Sequence, residues 1–408
     1  MHRHVDIAIV GAGAAGLWAA AVAARSGSST LVIEKTKRTG TKVLASGGTR
    51  CNLTTTLGAR AAAELFGAEA AAFLAPAFEA LSPSDVRDRF AAMGVPTKTE
   101  PALEKVFPQS DSARQVRDAL ESTARDNGAE FMFDQGVTEV TQTADGWSVQ
   151  VPAGTVSCRK LLLCAGGKSY PKTGTTGDGY GWLRSLKLPV VDPVPALVPV
   201  LSPATWVTEL TGVSLDAEAR IGSFRRRRPT LFTHKGLSGP APMDLSVHVS
   251  RASGPVVMHL DLLPDLSRDA LRRLLIDAAD RKGSPRLNTI LPLQRRLVAM
   301  VCRRAGLTED NPHAHHVRKK QRNQLVSMLK ALPIPLTGTA GFRFAEVTAG
   351  GLALDALNRE TMEVGGRPGL YVFGELLDLT GPIGGLNFQA AFATADLAAR
   401  GAVAALNA

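Results

Sequence analysis

A glycine-rich turn between a strand and a helix, close to the N-terminus, constrains the fold more than any other feature. An apolar strand, Asp6–Val10, leads through this turn into an alanine-rich helix, Leu17–Ala24. Between them, Gly11, Gly13 and Gly16 form the pattern G-x-G-x-x-G. The first glycine permits a tight turn, the second lets the backbone approach a pyrophosphate, and the third allows close helix–strand packing. The segment predicts a dinucleotide-binding β–α–β unit.

An acidic residue follows at the spacing that such a unit requires. The second predicted strand, Thr30–Ile33, ends in Glu34, about twenty residues after the glycines, where an acid binds ribose hydroxyls. The start of the helix offers free N–H groups and a positive dipole end to the phosphates. Because strand, helix and acid agree, we interpret the motif as a ligand site rather than as a glycine-rich turn without a ligand.

The composition predicts a globular protein with more than one domain. The 408 residues exceed the size at which a single hydrophobic core keeps growing. The hydrophobic content of 45% and the charged content of 21% are typical of a soluble chain. No apolar run is long enough to span a bilayer, and the N-terminus lacks a signal-peptide cleavage pattern. We therefore expect a cytoplasmic protein without a membrane segment.

The cysteines and histidines predict no metal site and no disulfide framework. The four cysteines are Cys51, Cys158, Cys164 and Cys302. They show no C-x-x-C spacing, and the second and third of them read as core residues. The histidines within His313–His316 have no carboxylate or cysteine at metal-ligand spacing, so we expect them on the surface.

The formal net charge of +10 raises the question of a nucleic-acid partner. Much of the excess lies in Arg225–Arg228, between Gly222 and Pro229 on a predicted loop or hairpin end, and in the helical pattern Arg318–Arg322. No aromatic residues interleave with either segment, as a stacking platform would require. We therefore favour a solvated basic surface over a nucleic-acid site, and expect a small-molecule substrate.

Periodicity places helices and strands between the motifs. Helical patterns cover Ala59–Leu81, Ser82–Met93 and Ser112–Asn127. Alternating patterns predict strands over Phe131–Val140 and Trp147–Val151, with Asp145-Gly146 as their hairpin turn. The apolar run at 159–164 predicts a buried strand that ends in a glycine-rich loop.

The residue pattern changes twice along the chain. These changes predict an α/β protein whose first domain is discontinuous. Prolines break up short extended pieces after the first part, and helical spacing then dominates until strands and glycine-rich loops return. A final helix is predicted over Ala390–Leu406. The predicted boundaries are 1–189 and 336–408 for the two parts of the dinucleotide-binding domain, 190–264 for an inserted β-rich domain and 265–335 for a helical subdomain.

Four further glycine-rich segments connect the predicted elements. They read GTKVLASGGTRCN from Gly40, GGKSYPKTGTTGDGYG from Gly166, FTHKGLSGP from Phe232 and GELLDLTGPIGGLNFQ from Gly374. Glycines lose much conformational entropy on ordering, so we expect such loops where the backbone closely approaches another group. Together with GAGAAG and AEVTAGG, these motifs make the chain resemble, over essentially its whole length, the HI0933-like (YhiN/BaiN-like) family of FAD-dependent oxidoreductases.

The resemblance implies a Rossmann-type FAD-binding domain and assigns residues to the cofactor. Lys42 and Arg50 would pair with the pyrophosphate or line the flavin edge, the backbone of Val137 would hold adenine, and Glu375 would hydrogen-bond the ribitol. The residues expected at FAD are Gly11, Gly13, Ala14, Ala15, Gly16, Glu34, Lys35, Lys42, Ser46, Arg50, Cys51, Asn52, Val137, Ala165, Gly166, Gly374, Glu375, Gly385, Leu386, Asn387 and Phe388.

The last of these loops, Gly384–Gln389, precedes the final helix. Two-electron reduction leaves negative charge at the flavin N1/O2 edge, and a helix N-terminus stabilises such charge. The resemblance therefore implies that the N–H groups of this loop point at that edge.

Three side chains are candidates for the chemistry. Tyr170 lies on a loop expected to border the flavin and could donate a proton to the substrate. His234, beside Lys235, could orient a substrate carbonyl or carboxylate from the inserted domain. Cys51 follows Arg50, a cation that would lower the pKa of its thiol.

These observations favour an FAD-dependent oxidoreductase that transfers hydride between the flavin and a small organic substrate. One branch of the family has been proposed to reduce steroid-type enones, so an enone reductase that uses NADH or NADPH is one version of this function. With one dinucleotide fingerprint, the nicotinamide would visit the flavin transiently. The alternatives are an FAD-containing tRNA-modifying or nucleic-acid-binding protein and a sensory flavoprotein without turnover. Substrate, reaction direction and oligomeric state stay open.

Overall fold

The computed structural model describes residues 2–101 and 104–408, and the chain divides into two compact units. Unit 1 comprises the chain up to Val194 together with Glu346–Ala408, and unit 2 is Pro195–Ala345. The chain thus leaves the first unit, builds the second and returns. The discontinuous α/β architecture predicted from the sequence is confirmed, while the four predicted domain boundaries stay a prediction.

The elements follow one another in the order expected for this architecture. The strands are β1 (His2–Val10), β2 (Thr30–Ile33), β3 (Thr54–Thr55), β4 (Thr97–Glu100), β5 (Lys105–Pro108), β6 (Glu130–Met132), β7 (Glu139–Thr143), β8 (Gly146–Val151), β9 (Gly154–Leu163), β10 (Val190–Ala196), β11 (Val200–Leu201), β12 (Ser214–Ile221), β13 (Phe224–Thr233), β14 (Gly236–Ser238), β15 (Val256–Asp261), β16 (Leu332–Leu336), β17 (Gly338–Thr339), β18 (Val347–Leu352) and β19 (Leu370–Val372). The α-helices are α1 (Ala14–Ala24), α2 (Thr41–Ala45), α3 (Ala59–Glu64), α4 (Ala68–Ala80), α5 (Pro83–Ala92), α6 (Ala113–Asp126), α7 (Asp178–Ser185), α8 (Thr205–Thr208), α9 (Pro240–Asp244), α10 (Ser246–Ser250), α11 (Arg268–Asp280), α12 (Leu287–Ile290), α13 (Arg295–Arg304), α14 (Lys319–Lys330) and α15 (Leu386–Asn407).

The main sheet of unit 1 is parallel where the dinucleotide motif predicts it. Its strand order is β6-β2-β1-β9-β8-β7, and β19 pairs with β9. The strands β6, β2, β1, β9 and β19 run parallel, whereas β7 and β8 are antiparallel additions. Helix α1 packs against α15 and α6, which covers the sheet with apolar residues. The carboxyl ends of the parallel strands therefore lie at one edge of one sheet.

Two local predictions in this sheet are wrong. The alternating segment Phe131–Val140 is not one strand, because the chain leaves β6 through a loop in which Asp134 has a φ of 56° and then forms β7 at the other end of the sheet. The hairpin turn consists of Ala144 and Asp145, since Gly146 already pairs with Thr143. Gly146 has a φ of 144°, and a Cβ atom there would overlap a carbonyl oxygen of β9.

Unit 2 combines an antiparallel sheet with helices around one core. The strand order is β16-β15-β12-β13-β14-β11-β17. The segment between β15 and β16 supplies α11 to α14, and residues from both this segment and the sheet pack into the same buried cluster. The predicted β-rich and helical segments thus share a core.

The basic segment Arg225–Arg228 lies at the start of β13, directly after the β12–β13 hairpin turn, as the sequence predicts. No aromatic residue lies among the four arginines, as expected, but one precedes them in the hairpin. Phe224 immediately precedes Arg225, is 52% exposed, and stacks on His248 with ring centroids 3.7 Å apart.

Membrane-spanning helices and metal-binding clusters are both absent from residues 2–101 and 104–408. No helix there combines the length and the hydropathy that a membrane crossing requires. No group of histidine, cysteine and carboxylate side chains there could hold a metal ion.

Candidate functional site

The candidate site lies where four parallel strands of unit 1 end. Gly11 follows β1, Glu34 follows β2, Ala165 lies two residues after β9, and Gly374 lies two residues after β19. Ligands of open parallel sheets bind outside the carboxyl ends of the strands. A Cβ atom on Gly374 would come within 3.0 Å of the Cβ atom of Ala15 in α1, so the first and the last of these loops are neighbours.

The three fingerprint glycines meet different surroundings. Gly11 has a φ of 112°, and a Cβ atom there would lie 2.7 Å from the carbonyl oxygen of Cys164. A Cβ atom on Gly16 would overlap the carbonyl oxygen of Gly11. At Gly13 a Cβ atom would meet no protein atom within 4 Å. The first and third positions therefore have no room for a side chain. The second position borders open space in which a pyrophosphate could lie against the backbone.

Glu34 is held against this turn by its own hydrogen bonds. Its Oε2 accepts the N–H of Ala12 at 2.9 Å, and its Oε1 accepts the N–H of Thr36 at 2.8 Å. Helix α1 starts at Ala14, with Gly13 as its N-cap and no capping side chain. The acid predicted for the ribose and the N–H groups predicted for the phosphates are therefore next to each other.

Lys42 and Glu375 form an ion pair at the centre of a cluster of polar contacts. The Nζ of Lys42 lies 2.5 Å from Oε2 and 2.7 Å from Oε1 of Glu375, and it donates to the Oγ of Ser169 at 2.5 Å. Glu375 Oε1 also accepts the hydroxyl of Ser169 at 3.0 Å and the N–H of Thr348 at 2.9 Å. The side chains of Lys42 and Glu375 are 25% and 20% exposed, so this cluster borders solvent from a partly buried position.

This cluster includes two residues that the sequence analysis did not assign. Ser169 bridges Lys42 and Glu375, and the Oγ1 of Thr348 accepts the N–H groups of Lys168 and Ser169 at 2.8 and 3.1 Å. Both residues lie in motifs that carry the family resemblance, GGKSYP and AEVTAGG. The motifs therefore point to these two residues, but the sequence alone gives neither of them a role. The predicted roles of Lys42 at the pyrophosphate and of Glu375 at the ribitol stay predictions.

The start of α15 is built into the same region. Gly385 has a φ of 85° and is the N-cap, with no capping side chain. A Cβ atom there would overlap the carbonyl oxygen of Thr54 and lie 2.9 Å from Oδ1 of Asn52, so the turn is pressed against β3. The side chain of Asn387 accepts the N–H and donates to the carbonyl oxygen of Gly381, each at 2.9 Å. Leu386, Asn387 and Phe388 form the first turn of the helix rather than a loop.

Arg50 and Cys51 correct an expectation. The guanidinium of Arg50 pairs with Glu100 and Asp111 and lies 4.0 Å from the ring centroid of Phe107. The Cys51 side chain is fully buried, and burial raises the pKa of its thiol to about 12. The expected lowering of that pKa by Arg50 is wrong, because burial of the thiol dominates and the Arg50 guanidinium is paired with acids from other segments.

Four other predicted cofactor residues lie in unit 1 outside its strands and α-helices, namely Lys35, Ser46, Gly166 and Val137. Lys35 donates to Asp178 at 2.5 Å and to Thr176 at 2.6 Å. The carbonyl oxygen of Ser46 accepts the N–H of Cys51 at 3.1 Å. A Cβ atom on Gly166 would lie 3.9 Å from Oε2 of Glu375, which places the loop after β9 beside the Lys42–Glu375 pair. Val137 lies in the loop between β6 and β7.

The two other catalytic candidates lie in different units. Tyr170, in unit 1, has a φ of 52° and is partly buried. Burial, with a smaller contribution from Glu346, raises the pKa of its phenol. His234, in unit 2, is exposed in the turn between β13 and β14.

Comparison with known proteins decides the family. A family model described as "HI0933-like protein Rossmann domain" matches residues 5–401. The chain belongs to the HI0933-like family. Membership of this family makes the chain an FAD-dependent oxidoreductase, as the resemblance implied.

Members with curated names differ in substrate. The chain is 32% identical, over 98% of each chain, to a protein named ribosomal RNA dihydrouridine synthase from Escherichia coli (strain K12). It is 28% identical, over 97% of this chain and 98% of the other, to 3-dehydro-bile acid delta(4,6)-reductase from Clostridium scindens. In fold it resembles 3-ketosteroid-delta4-(5alpha)-dehydrogenase from Rhodococcus jostii RHA1, with a TM-score of 0.54, 15% identity and coverage of 98% and 97% of the two chains.

The site fits the cofactor of this family. The open space at Gly13 and the uncapped start of α1 suit a pyrophosphate, and Glu34 retains lone pairs for ribose hydroxyls. The uncapped start of α15 suits an edge that carries negative charge.

Proposed function

We propose that this chain reduces uridine to dihydrouridine in ribosomal RNA, with NADH or NADPH as the reductant. The observation that carries the proposal is the 32% identity, over 98% of both chains, to a protein named ribosomal RNA dihydrouridine synthase. The sequence analysis favoured a small-molecule substrate, and this relative shifts the preference to RNA.

The proposed reaction belongs to the same chemical class as the enone reduction considered from the sequence. The C5=C6 bond of uridine is conjugated to the C4 carbonyl, as the double bonds of a 3-oxo steroid are conjugated to theirs. One hydride and one proton add across the bond, so uridine, NAD(P)H and H⁺ give dihydrouridine and NAD(P)⁺. Bound FAD supplies the carrier for this hydride.

The distribution of charge supports a polyanionic substrate. Unit 2 contains 23 Lys and Arg residues against 11 Asp and Glu residues, a net charge of +12. Unit 1 contains 24 against 26, a net charge of −2. The unit inserted into the FAD-binding unit thus carries the whole positive excess of the protein. A basic unit attracts RNA over long range, and a polyanion gains more from this attraction than a bile acid, which carries one carboxylate.

Tyr170 is the proton donor in this proposal. Because burial raises the pKa of its phenol, the group keeps its proton at neutral pH and can release it only to a strongly basic centre. A carbanion that forms next to the carbonyl after hydride addition is such a centre. His234 and Lys235, exposed at the β13–β14 turn, are proposed to orient the substrate.

The experiment compares ribosomal RNA from cells with and without the gene. Nucleoside mass spectrometry is expected to show one dihydrouridine that is lost on deletion. It should return when purified protein, FAD and NADPH are added to RNA from the deletion strain. RNA with unchanged dihydrouridine content in both tests would refute the proposal.

A steroid-type enone is the second candidate substrate, favoured by the 28% identity to the bile-acid reductase. Oxidation of NADPH that depends on a 3-oxo-4-ene steroid, with no reaction on ribosomal RNA, would select it.

A further inference from the structure

We propose that the tip of the β12–β13 hairpin, residues 220–226, binds the RNA substrate through phosphates and one stacked base. The proposal rests on the proposed function, because it names the surface of unit 2 that would hold that substrate. Three features support this site, namely the pairing of the arginines at the tip, the exposure of its aromatic ring and the positive net charge of unit 2.

Two of the four consecutive arginines are structural. Arg227 forms ion pairs with Asp216 and Asp265, and Arg228 forms one with Asp244, whose side chain is fully buried. These charges are compensated within unit 2. They hold the base of the hairpin to the rest of the unit and are not free for a ligand.

The charges at the tip itself are not compensated. Arg220 and Arg225 are exposed and face each other in the antiparallel register of the two strands. Within the described residues, neither they nor Arg226 form an ion pair with a carboxylate. Like charges directly opposite each other destabilise a strand pair. Three guanidiniums at one hairpin tip therefore create a site for phosphate groups, which guanidinium binds through paired hydrogen bonds.

Phe224 adds a stacking surface to this charge. Its side chain is 52% exposed, and its ring lies nearly parallel to that of His248, at 18° and 3.7 Å between centroids. His248 covers one face of the ring and fixes its orientation. A base that stacks on an aromatic side chain contributes to single-stranded nucleic-acid binding. An exposed phenylalanine beside unpaired arginines therefore fits RNA better than it fits an acidic protein.

The test measures RNA affinity of holoenzyme variants. The double variant Arg225→Gln/Arg226→Gln removes two charges from the tip, and Lys319→Gln/Lys320→Gln removes two from the exposed start of α14 in the same unit. Binding of a fluorescent ribosomal RNA fragment is followed by anisotropy between low and moderate salt. The tip variant is expected to bind about tenfold more weakly, with a shallower dependence on salt. The α14 variant is expected to change affinity less than threefold.

Substitutions of Phe224 separate stacking from charge. Phe224→Leu is expected to weaken RNA binding about fivefold and to leave binding of heparin, a polyanion without bases, unchanged. Phe224→Tyr is expected to bind RNA like the wild type. Flavin content and reduction by NADPH should be the same in all variants, because the hairpin lies outside the FAD-binding unit.

The results distinguish this inference from the proposed function. Equal losses in the tip and α14 variants, or no loss in either, would overturn the hairpin proposal, even if dihydrouridine is formed. A hairpin-dependent RNA complex that yields no dihydrouridine supports the hairpin proposal and refutes the proposed function.

Discussion

At the scale of single residues, the glycines of the first turn show why a motif can be read before a structure exists. The roles of Gly11, Gly13 and Gly16 follow from backbone geometry, which is the same in every such turn. The structure gives each role a physical cause, since two of the three positions have no room for a methyl group and the third has open space.

These glycines provide a paired prediction. Gly13→Ala should fold normally, because Gly13 has a φ of −80° and its Cβ position is free, yet it should weaken FAD binding at least tenfold. Gly16→Ala should instead lower the free energy of unfolding by about 1–3 kcal/mol, because its methyl group would overlap the Gly11 carbonyl. Thermal unfolding of apo-protein and fluorescence titration with FAD measure the two effects. The reverse pattern would contradict the assignment of the pyrophosphate to Gly13.

The proton donor gives a pH prediction. The pKa of the Tyr170 phenol is raised above its ordinary value of 10.0, so its proton is present at every pH below that value and is lost only above it. An alkaline fall in substrate reduction that comes from loss of the Tyr170 proton should therefore lie above pH 10. Tyr170→Phe should slow substrate reduction by about 10²–10⁴-fold while NADPH reduces the flavin at the wild-type rate. Equal effects on both half-reactions would show that Tyr170 is not the donor.

Sequence reasoning failed where a side chain turns away from its neighbour in the chain. Arg50 and Cys51 are adjacent, but the guanidinium contacts Glu100 and Asp111, and the thiol is buried. Ser169 and Thr348 are far apart in the chain, yet the N–H of Ser169 donates to Thr348 and both residues donate to Glu375. Such contacts depend on how distant loops come together, and periodicity and spacing carry no information about that.

At the scale of elements, two helix starts define the site. Helices α1 and α15 both begin at a glycine N-cap without a capping side chain, which leaves their first N–H groups for a ligand. The sequence predicts both helices, because glycines precede apolar helical patterns, but the observed helices begin three and four residues before the predicted Leu17 and Ala390. It does not predict that Phe131–Val140 splits between opposite ends of the sheet, since alternation is the same in one strand as in two.

The loop before α15 allows a test at this scale. Asn387 joins both backbone groups of Gly381 through its side chain, so Asn387→Ala removes two hydrogen bonds that hold the loop. FAD affinity should fall about tenfold, with the melting temperature of the apo-protein changed by only a few degrees. Asn387→Asp, which keeps the acceptor alone, should lie between wild type and alanine. An unchanged FAD affinity would show that this loop does not shape the cofactor site.

At the scale of the whole molecule, the net charge of +10 is the sum of a basic unit and a slightly acidic one. The sequence shows the total, but the separation appears only when the boundaries of the units are known. The prediction of a solvated basic surface rested on two short segments without interleaved aromatic residues, and it did not consider Phe224, which directly precedes the first of them. This separation of charge supports the proposal of an RNA substrate.

The most direct test uses the protein with its flavin reduced under anaerobic conditions and no remaining reductant. Mixing with ribosomal RNA that lacks dihydrouridine should restore the visible absorbance of oxidised flavin and form one dihydrouridine per flavin. A flavin that stays reduced with this RNA, yet is reoxidised by a steroid-type enone, would contradict the account.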